Sequence, residues 1–403
     1  MSYILPTYAN FPLTAIRGSG SRLWDDQGNE YLDFCAGIAT CSLGHCHPAQ
    51  VEAITAQAKT LIHCSNLYQI PKQKMLAEAI VTQFIKSPGK IFFGNSGAEA
   101  NDGAIKTARR FGHARPSAQG KPRYEIITFN SSFHGRTLGS MAATGQEKIQ
   151  TGFTPLLSGF RYVDYNDLNA LKSAISSNTV GILLEPIQGE GGVHCATPEF
   201  LQGVADLCKE HDLLLMMDEV QTGIGRTGAL MGWKSICPDL TPDTVSMAKG
   251  LGGGFPIGAF YVSDRAIDAD GTSLSSLMDA GSHGSTYGGN PLACSSALAV
   301  LSEIQSSGLV ENTIRQEQRI RKEVGSWNSP IITEIRGCGL LLGFALDPET
   351  ILAPALCKAL MDNHLLTVPA GPNTLRWLPA LNVTDEEIDQ ALCILKNTLD
   401  SLA

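Results

Sequence analysis

The chain has 403 residues, 43% of them hydrophobic, with 30 basic against 39 acidic side chains and a formal net charge of -9. That balance excludes the basic face that nucleic-acid phosphates require and docking on anionic lipid, while leaving open a small anionic substrate bound by one or two local arginines. The 11 cysteines are scattered and odd in number, which reads as reduced thiols rather than a disulfide framework; with neither a signal-like start nor a bilayer-length apolar run, the expected location is the cytoplasm.

The first 45 residues carry a hairpin pattern, Arg22–Asp25, a turn at Gly28, then Tyr31–Phe34, expected to pack with the C-terminal part. Pro48 opens a helix that sets Val51, Ile54, Ala58 and Leu61 on one face. A second helix is expected over 73–84, a strand over 91–93 and a helix over 97–110. Strands follow at 124–129, 180–184 and 213–217, with a helix over 198–211 between the last two. Further strands are predicted at 244–247 and 256–262, and a long helix over 290–304. Strands that are apolar along their whole length suit a sheet buried on both faces. Their alternation with helices implies right-handed crossovers and a largely parallel sheet. Residues 331–335 and 340–346 read as strands of a smaller second domain. The expected division is an N-terminal segment 1–45 packing with the small domain, a large domain 46–305, and a small α+β domain 306–403.

Chemistry concentrates at the strand ends. Asp218 follows the apolar run Leu213–Met217, where ligands collect in open α/β sheets; alone it could equally cap a turn. Lys249 stands directly after a strand and before Gly250-Leu251-Gly252-Gly253-Gly254. The glycines allow close approach of a bulky group, and a lysine of lowered pKa forms Schiff bases. The bland alternative is a surface lysine before a flexible loop. Gly94-Asn95-Ser96-Gly97-Ala98-Glu99 lies between a strand and a helix, so the helix start offers free N–H groups to an anion as well as a plain serine cap. Two patterns compete. Gly223-Ile224-Gly225-Arg226-Thr227-Gly228 matches the dinucleotide fingerprint and carries the rival reading of a nicotinamide oxidoreductase, although the segment after it opens a helix poorly. His45-Cys46-His47 with His63-Cys64 hints at a metal, but adjacent ligands point apart and lack gapped spacing, so no metal is expected.

Read in order, Asn95-Ser96-Gly97-Ala98-Glu99-Ala100-Asn101, Phe133-His134-Gly135-Arg136, Glu185-Pro186-Ile187-Gln188-Gly189-Glu190-Gly191-Gly192, Asp218-Glu219-Val220-Gln221-Thr222-Gly223, Lys249 and Gly284–Ala293 resemble the class-III aminotransferases of fold type I. Within these the chain is most similar to the acetylornithine and succinylornithine group. The resemblance runs from Gly20-Ser21-Arg22-Leu23-Trp24-Asp25 to Leu375-Arg376. It implies a large domain with a mostly parallel seven-stranded sheet and a pyridoxal 5'-phosphate cofactor. Lys249 is implied as the Schiff-base lysine and proton carrier, and Asp218 as the partner of the pyridine nitrogen. Gln221 would contact the ring hydroxyl, Phe133 would stack on the ring, and Ser96, Gly97 and Ala98 would hold the phosphate. Thr286 is implied to reach the phosphate of the neighbouring subunit of a homodimer. Arg136, with Ser285 nearby, would bind the donor's α-carboxylate. Arg376 would take the keto acid's carboxylate, and Glu190 would pair with Arg376 while the distal amine is bound. The implied reaction moves the terminal amine of N2-acetyl-L-ornithine to 2-oxoglutarate, in arginine biosynthesis; succinylornithine, ornithine and 4-aminobutyrate are alternative donors. Position 98 is usually threonine in this group, so Ala98 removes one hydroxyl from the phosphate site and is expected to weaken cofactor binding modestly.

Overall fold

The computed structural model describes residues 3–402. An N-terminal meander is formed by β1 (Ala15–Ser19), β2 (Arg22–Asp25) and β3 (Glu30–Asp33). The central strands are β4 (Gly89–Gly94), β5 (Glu125–Phe129), β6 (Phe160–Val163) and β7 (Thr179–Leu184). After a short hairpin of β8 (Ile187–Gln188) and β9 (His194–Cys195) come β10 (Leu214–Asp218), β11 (Thr244–Met247) and β12 (Gly258–Ser263). The C-terminal part adds β13 (Ile332–Cys338), β14 (Leu341–Leu346), β15 (Leu365–Leu366), β16 (Val368–Pro369) and β17 (Thr374–Trp377).

The central sheet has seven strands in the order β4-β12-β11-β10-β7-β5-β6. Its pairings are parallel from β11 to β6, and β12 runs against both its neighbours. Every residue of β7, β10, β11 and β12 is buried, because helices cover both faces. On one face the Gly97–Ala114 helix presents Ala100, Ala104, Ile105, Ala108 and Phe111 at helical period to β12 and β11. Gly103 of that helix sits against Phe260, where a Cβ would lie 2.1 Å from the ring. The Pro198–Glu210 helix covers the other face, with Thr197 capping Phe200 N–H at 3.1 Å. No helix among the described residues is long and apolar enough to cross a membrane.

A second sheet, β13-β14-β17-β16, is antiparallel and packs on the Ala353–Asp362 helix. The expected N-terminal hairpin is present as β2 and β3, and β3 continues in parallel onto β15, with Leu32 opposite Leu365.

Two sequence expectations need correction, and one strand has no counterpart among those predicted. The helix at Pro48 forms but ends at Ala58, so Leu61 lies beyond it; Val51, Ala58 and Leu61 are exposed and Ile54 is half-buried. Its buried residue is Gln50, which donates to the Gly252 and Gly253 carbonyls at 2.8 and 3.0 Å. The second helix is regular only over Pro71–Ala79 and continues as a wider π-turn over Ile80–Ile85. Strand β6 gives no sequence signal because its Phe-Arg-Tyr-Val sequence lies at a half-exposed edge and lacks a continuous apolar run.

The helix-to-sheet spacing at Gly103 leads to a prediction. Gly103→Ala forces Phe260 out of its rotamer or lifts the helix, at a cost of roughly 1–3 kcal/mol. A thermal melt is expected to show a midpoint several degrees below wild type, with the same far-UV spectrum before unfolding.

Candidate active site

Because β4, β5, β7, β10 and β11 point the same way, the segments that follow them emerge at one edge of the sheet. There they enclose a cavity of about 420 Å³. The turn after β4 supplies Ser96, Gly97 and Ala98, and the loop after β5 supplies Phe133 and Arg136. Glu185 comes directly after β7, Asp218 and Gln221 from the end of β10, and Lys249 from just beyond β11. The antiparallel β12 begins at this same edge and adds Phe255, Pro256 and Ile257. This is the crevice at the carboxyl ends of the strands where open α/β folds bind ligands.

Asp218 is 3% exposed. Its Oδ2 accepts from Asn101 Nδ2 and His134 Nδ1, both at 2.7 Å, and its Oδ1 accepts from Val220 N–H at 3.0 Å. Asn101 is itself oriented by donating to the His134 carbonyl at 2.7 Å and accepting from Ser246 Oγ at 2.6 Å. The buried His134 Nε2 has no partner among the described residues.

Lys249 has φ +43°, a left-handed conformation that a non-glycine residue adopts only when its surroundings impose it. Its amine has no hydrogen-bond or ion-pair partner among the described residues. Burial in the protein lowers its pKa and Arg376 adds to that, while Glu190, Asp218 and Glu185 pull the other way. A lowered pKa leaves more of the amine in its nucleophilic, neutral form.

Ser96 caps the Gly97–Ala114 helix, its side chain accepting from Glu99 N–H at 3.2 Å. Glu99 in turn accepts from Asn95 N–H, which fixes the turn. The Ala98 methyl packs near Gly135, where a Cβ would come within 2.7 Å of it. Phe133 is half-buried, and the exposed Arg136 lies over its ring with the guanidinium carbon 5.7 Å from the centroid.

Behind Gln221 lies an ion pair carried by the other sheet. Arg376, on β17 and 1% exposed, donates to Glu190 Oε1 at 2.7 Å, Glu190 Oε2 at 3.2 Å, Gln221 Oε1 at 2.8 Å and the Gly189 carbonyl at 2.7 Å. Gln221 Nε2 also donates to Glu190 at 3.2 Å. Burial works against the Glu190 charge, but Arg376 and Lys249 outweigh it and hold its pKa at about 2. Glu190 sits in the turn between β8 and β9, so the pair joins that two-stranded hairpin to β17.

The cavity thus brings together Lys249, Asp218, Gln221, Phe133, Arg136, Ser96, Gly97 and Ala98, with Glu190 and Arg376 adjoining through Gln221. Ser285 lies one contact away, accepting from Asn95 at 3.2 Å. Thr286 is exposed and outside the cavity of its own chain. Sequence reasoning gave no role to Asn101, His134 or Glu185, although all lie within the quoted motifs. A fourth omission, Glu219, turns away from the cavity to accept from Gly232 N–H at 2.6 Å and Trp233 N–H at 2.8 Å; burial lifts its pKa to about 7 against those bonds. The dinucleotide-like Gly223–Gly228 run serves another purpose. It forms turns that deliver the fully buried Arg226 to the carbonyls of Leu340 and Pro379, and only a short 3-10 turn, Gly232–Ser235, follows.

A sheet of this topology, with a bare lysine amine at its strand ends, defines a fold type I transferase that handles amino groups. The chain belongs to the class-III aminotransferases: the model of the family described as "Aminotransferase class-III" matches residues 3–399. It is 48% identical over 406 aligned residues to an acetylornithine aminotransferase of Caldanaerobacter subterraneus subsp. tengcongensis, covering 99% of this chain and 98% of that one. The N-acetylornithine aminotransferase structure from Stenotrophomonas maltophilia superposes with a TM-score of 0.82 at 38% identity, covering 98% and 97% of the two chains. An ornithine aminotransferase of Toxoplasma gondii, whose active site holds pyridoxal phosphate at partial occupancy, superposes at 0.90 with 31% identity, covering 99% and 92%.

The depressed Glu190 pKa fixes the sign of a pH effect. A carboxylate whose folded value lies below its free value of about 4.3 contributes fully above that value, and its contribution is lost as pH falls toward about 2. Glu190→Gln is therefore expected to lower the thermal midpoint at pH 7. The gap from wild type should narrow progressively below about pH 4.3, as followed by melts across an acid series.

Proposed function

We propose that this transaminase moves the terminal amino group of N2-acetyl-L-ornithine to 2-oxoglutarate, giving N-acetyl-L-glutamate 5-semialdehyde and L-glutamate, with pyridoxal 5'-phosphate as cofactor. The carrying observation is the unpartnered Lys249 amine opening onto the cavity that Asp218 lines. The residues present suit that cofactor: an amine free to react, a carboxyl group that accepts from three donors, an aromatic side chain and an open helix start. When bound, the cofactor acts as an electron sink for charge developing on the amine-bearing carbon.

In this reading Asp218 would hold a proton on the ring nitrogen, Phe133 would stack on the ring, and Gln221 would meet the ring hydroxyl. Ser96, Gly97 and Ala98 receive the phosphate with backbone N–H groups and the Ser96 hydroxyl. The missing hydroxyl at Ala98 leaves those N–H groups in place. Lys249 would hold the cofactor and, once the substrate amine has displaced it, its amine would carry the proton removed from and returned to the substrate. Arg136, with Ser285 close by, binds the α-carboxylate of a donor whose α-amine is masked. Arg376 binds 2-oxoglutarate once Glu190 releases it; while the pair is closed, the pocket offers little net charge to a donor's uncharged acyl arm. Thr286, exposed on its own chain, suits contact with the phosphate site of a second copy, so a homodimer with shared sites belongs to the proposal. The division at residues 1–45, 46–305 and 306–403 and a cytoplasmic location belong to it too; the separate sheets support the first and 11 free cysteines the second. Ornithine itself is the second reading for the donor, favoured by the 0.90 superposition on the Toxoplasma enzyme. The higher identity to the acetylornithine enzyme favours the first.

The test is spectroscopic and kinetic. The protein loaded with cofactor should show a visible band that N2-acetyl-L-ornithine discharges and 2-oxoglutarate restores, faster than with ornithine or 4-aminobutyrate. Borohydride should fix the cofactor to the peptide containing Lys249. Lys249→Ala should abolish that attachment and slow turnover by about 10³-fold or more, the scale of losing a positioned base. A wild-type protein that stays colourless after soaking in cofactor rejects the proposal.

A further inference from the structure

Two carboxyl groups face the same cavity from adjacent strands. Strand β7 ends at Leu184 and β10 at Asp218, and the two pair in parallel with Met217 opposite Leu184. Glu185 and Asp218 therefore emerge side by side, 5% and 3% exposed. Two anions so placed in a buried site repel, and hydrogen-bond donors favour the charge on the carboxyl that receives more of them.

The donors are unevenly shared. Asp218 accepts three, from Asn101, His134 and Val220. Glu185 accepts one, from Phe133 N–H to Oε2 at 3.0 Å, and its Oε1 has no donor among the described residues. The charged groups around it reinforce the imbalance. Asp218 and Glu190 oppose its ionisation, and Lys249 is the cation that favours it. Arg376 is committed to Glu190 and Gln221. His134 Nδ1 is taken up by Asp218, and Arg136 sits exposed over Phe133. On the far side the Tyr165 hydroxyl donates to the Glu185 main-chain carbonyl at 2.5 Å and leaves the carboxyl alone. Burial first, then Asp218, push the Glu185 carboxyl well above its ordinary range.

We propose that Glu185 stands as a neutral acid whose O–H is offered to an anionic oxygen of the ligand in this cavity, Asp218 being the carboxylate that carries charge there. A neutral donor has a specific use beside Asp218. It can bind an oxyanion on cofactor or substrate without adding a second negative charge that would compete for the protonated ring nitrogen. Its Oε2 also holds the Phe133 N–H, so protonation on Oε1 keeps both oxygens employed. This inference rests on the cofactor assignment above and adds a ligand-facing residue to it.

The test uses the full-length, cofactor-loaded protein. An infrared difference spectrum, wild type minus Glu185→Gln at pH 8, should contain a carboxylic-acid carbonyl band that moves in D2O. A carboxylate pair of bands instead overturns the proposal. The visible band should titrate with pH in Glu185→Gln as in wild type, since no charge is lost. A shift of about half a unit or more shows that an anion was removed, and also overturns it. Glu185→Leu, which cannot donate, should raise either the cofactor Kd or the donor's half-saturating concentration by roughly 10-fold, the worth of one hydrogen bond to a charged group. The first result places the acceptor on the cofactor and the second on the substrate. If neither moves, or if Glu185→Leu will not fold and the infrared band is missing, the proposal falls. A colourless wild-type protein would refute the cofactor assignment, while the infrared band would still report the Glu185 proton separately.

Discussion

A bare carboxylate at the end of a buried strand is an expensive charge, and Asp218 can hold it because three donors converge on it. Those donors come from a helix, a loop and the turn after the strand itself: Asn101, His134 and Val220. The arrangement ties the Gly97–Ala114 helix, the segment after β5 and the tip of β10 to one atom pair. Ser246 on β11 then fixes the Asn101 amide from the other side. The cavity's shape and its charge therefore have a common origin. Moving any one of these elements would unpair a buried polar group, which costs more than the hydrogen bond contributed.

The second electrostatic centre obeys a different logic. Arg376 is buried, but its partner Glu190 is partly exposed on a two-strand hairpin, with 26% of its side chain accessible. A pair with one member near water has a lower desolvation penalty than one fully enclosed. Gln221 touches both members and also lines the cavity. A change in the pair is thereby transmitted to the cavity wall by one side chain, without a change of fold.

Much of this was legible in the sequence, for physical reasons that differ by element. The fully buried strands announce themselves as unbroken apolar runs, and Asp218 and Lys249 stand out as charges directly beyond two of them. The edge strand β6 is half-exposed and reads like any mixed segment. The apolar stripe of the Pro48–Ala58 helix was visible, but a periodic stripe states only that something covers it; in the isolated chain Val51 and Leu61 are exposed. The glycines from 223 to 228 mimic a phosphate loop because both tasks need sharp turns. Only the structure shows that they serve Arg226. Asn101, His134 and Glu185 carried no signal of their own, since their function depends on partners 33 to 117 residues away in the chain.

Strand β3 has a consequence for how the molecule is made. Its parallel neighbour is β15, so Leu32 waits for Leu365. On a ribosome adding residues one by one, the interval between the two is roughly tens of seconds. Throughout that time the meander's open edge has no covalently linked mate to cover it. That edge of the meander is completed only by a strand made much later in the chain.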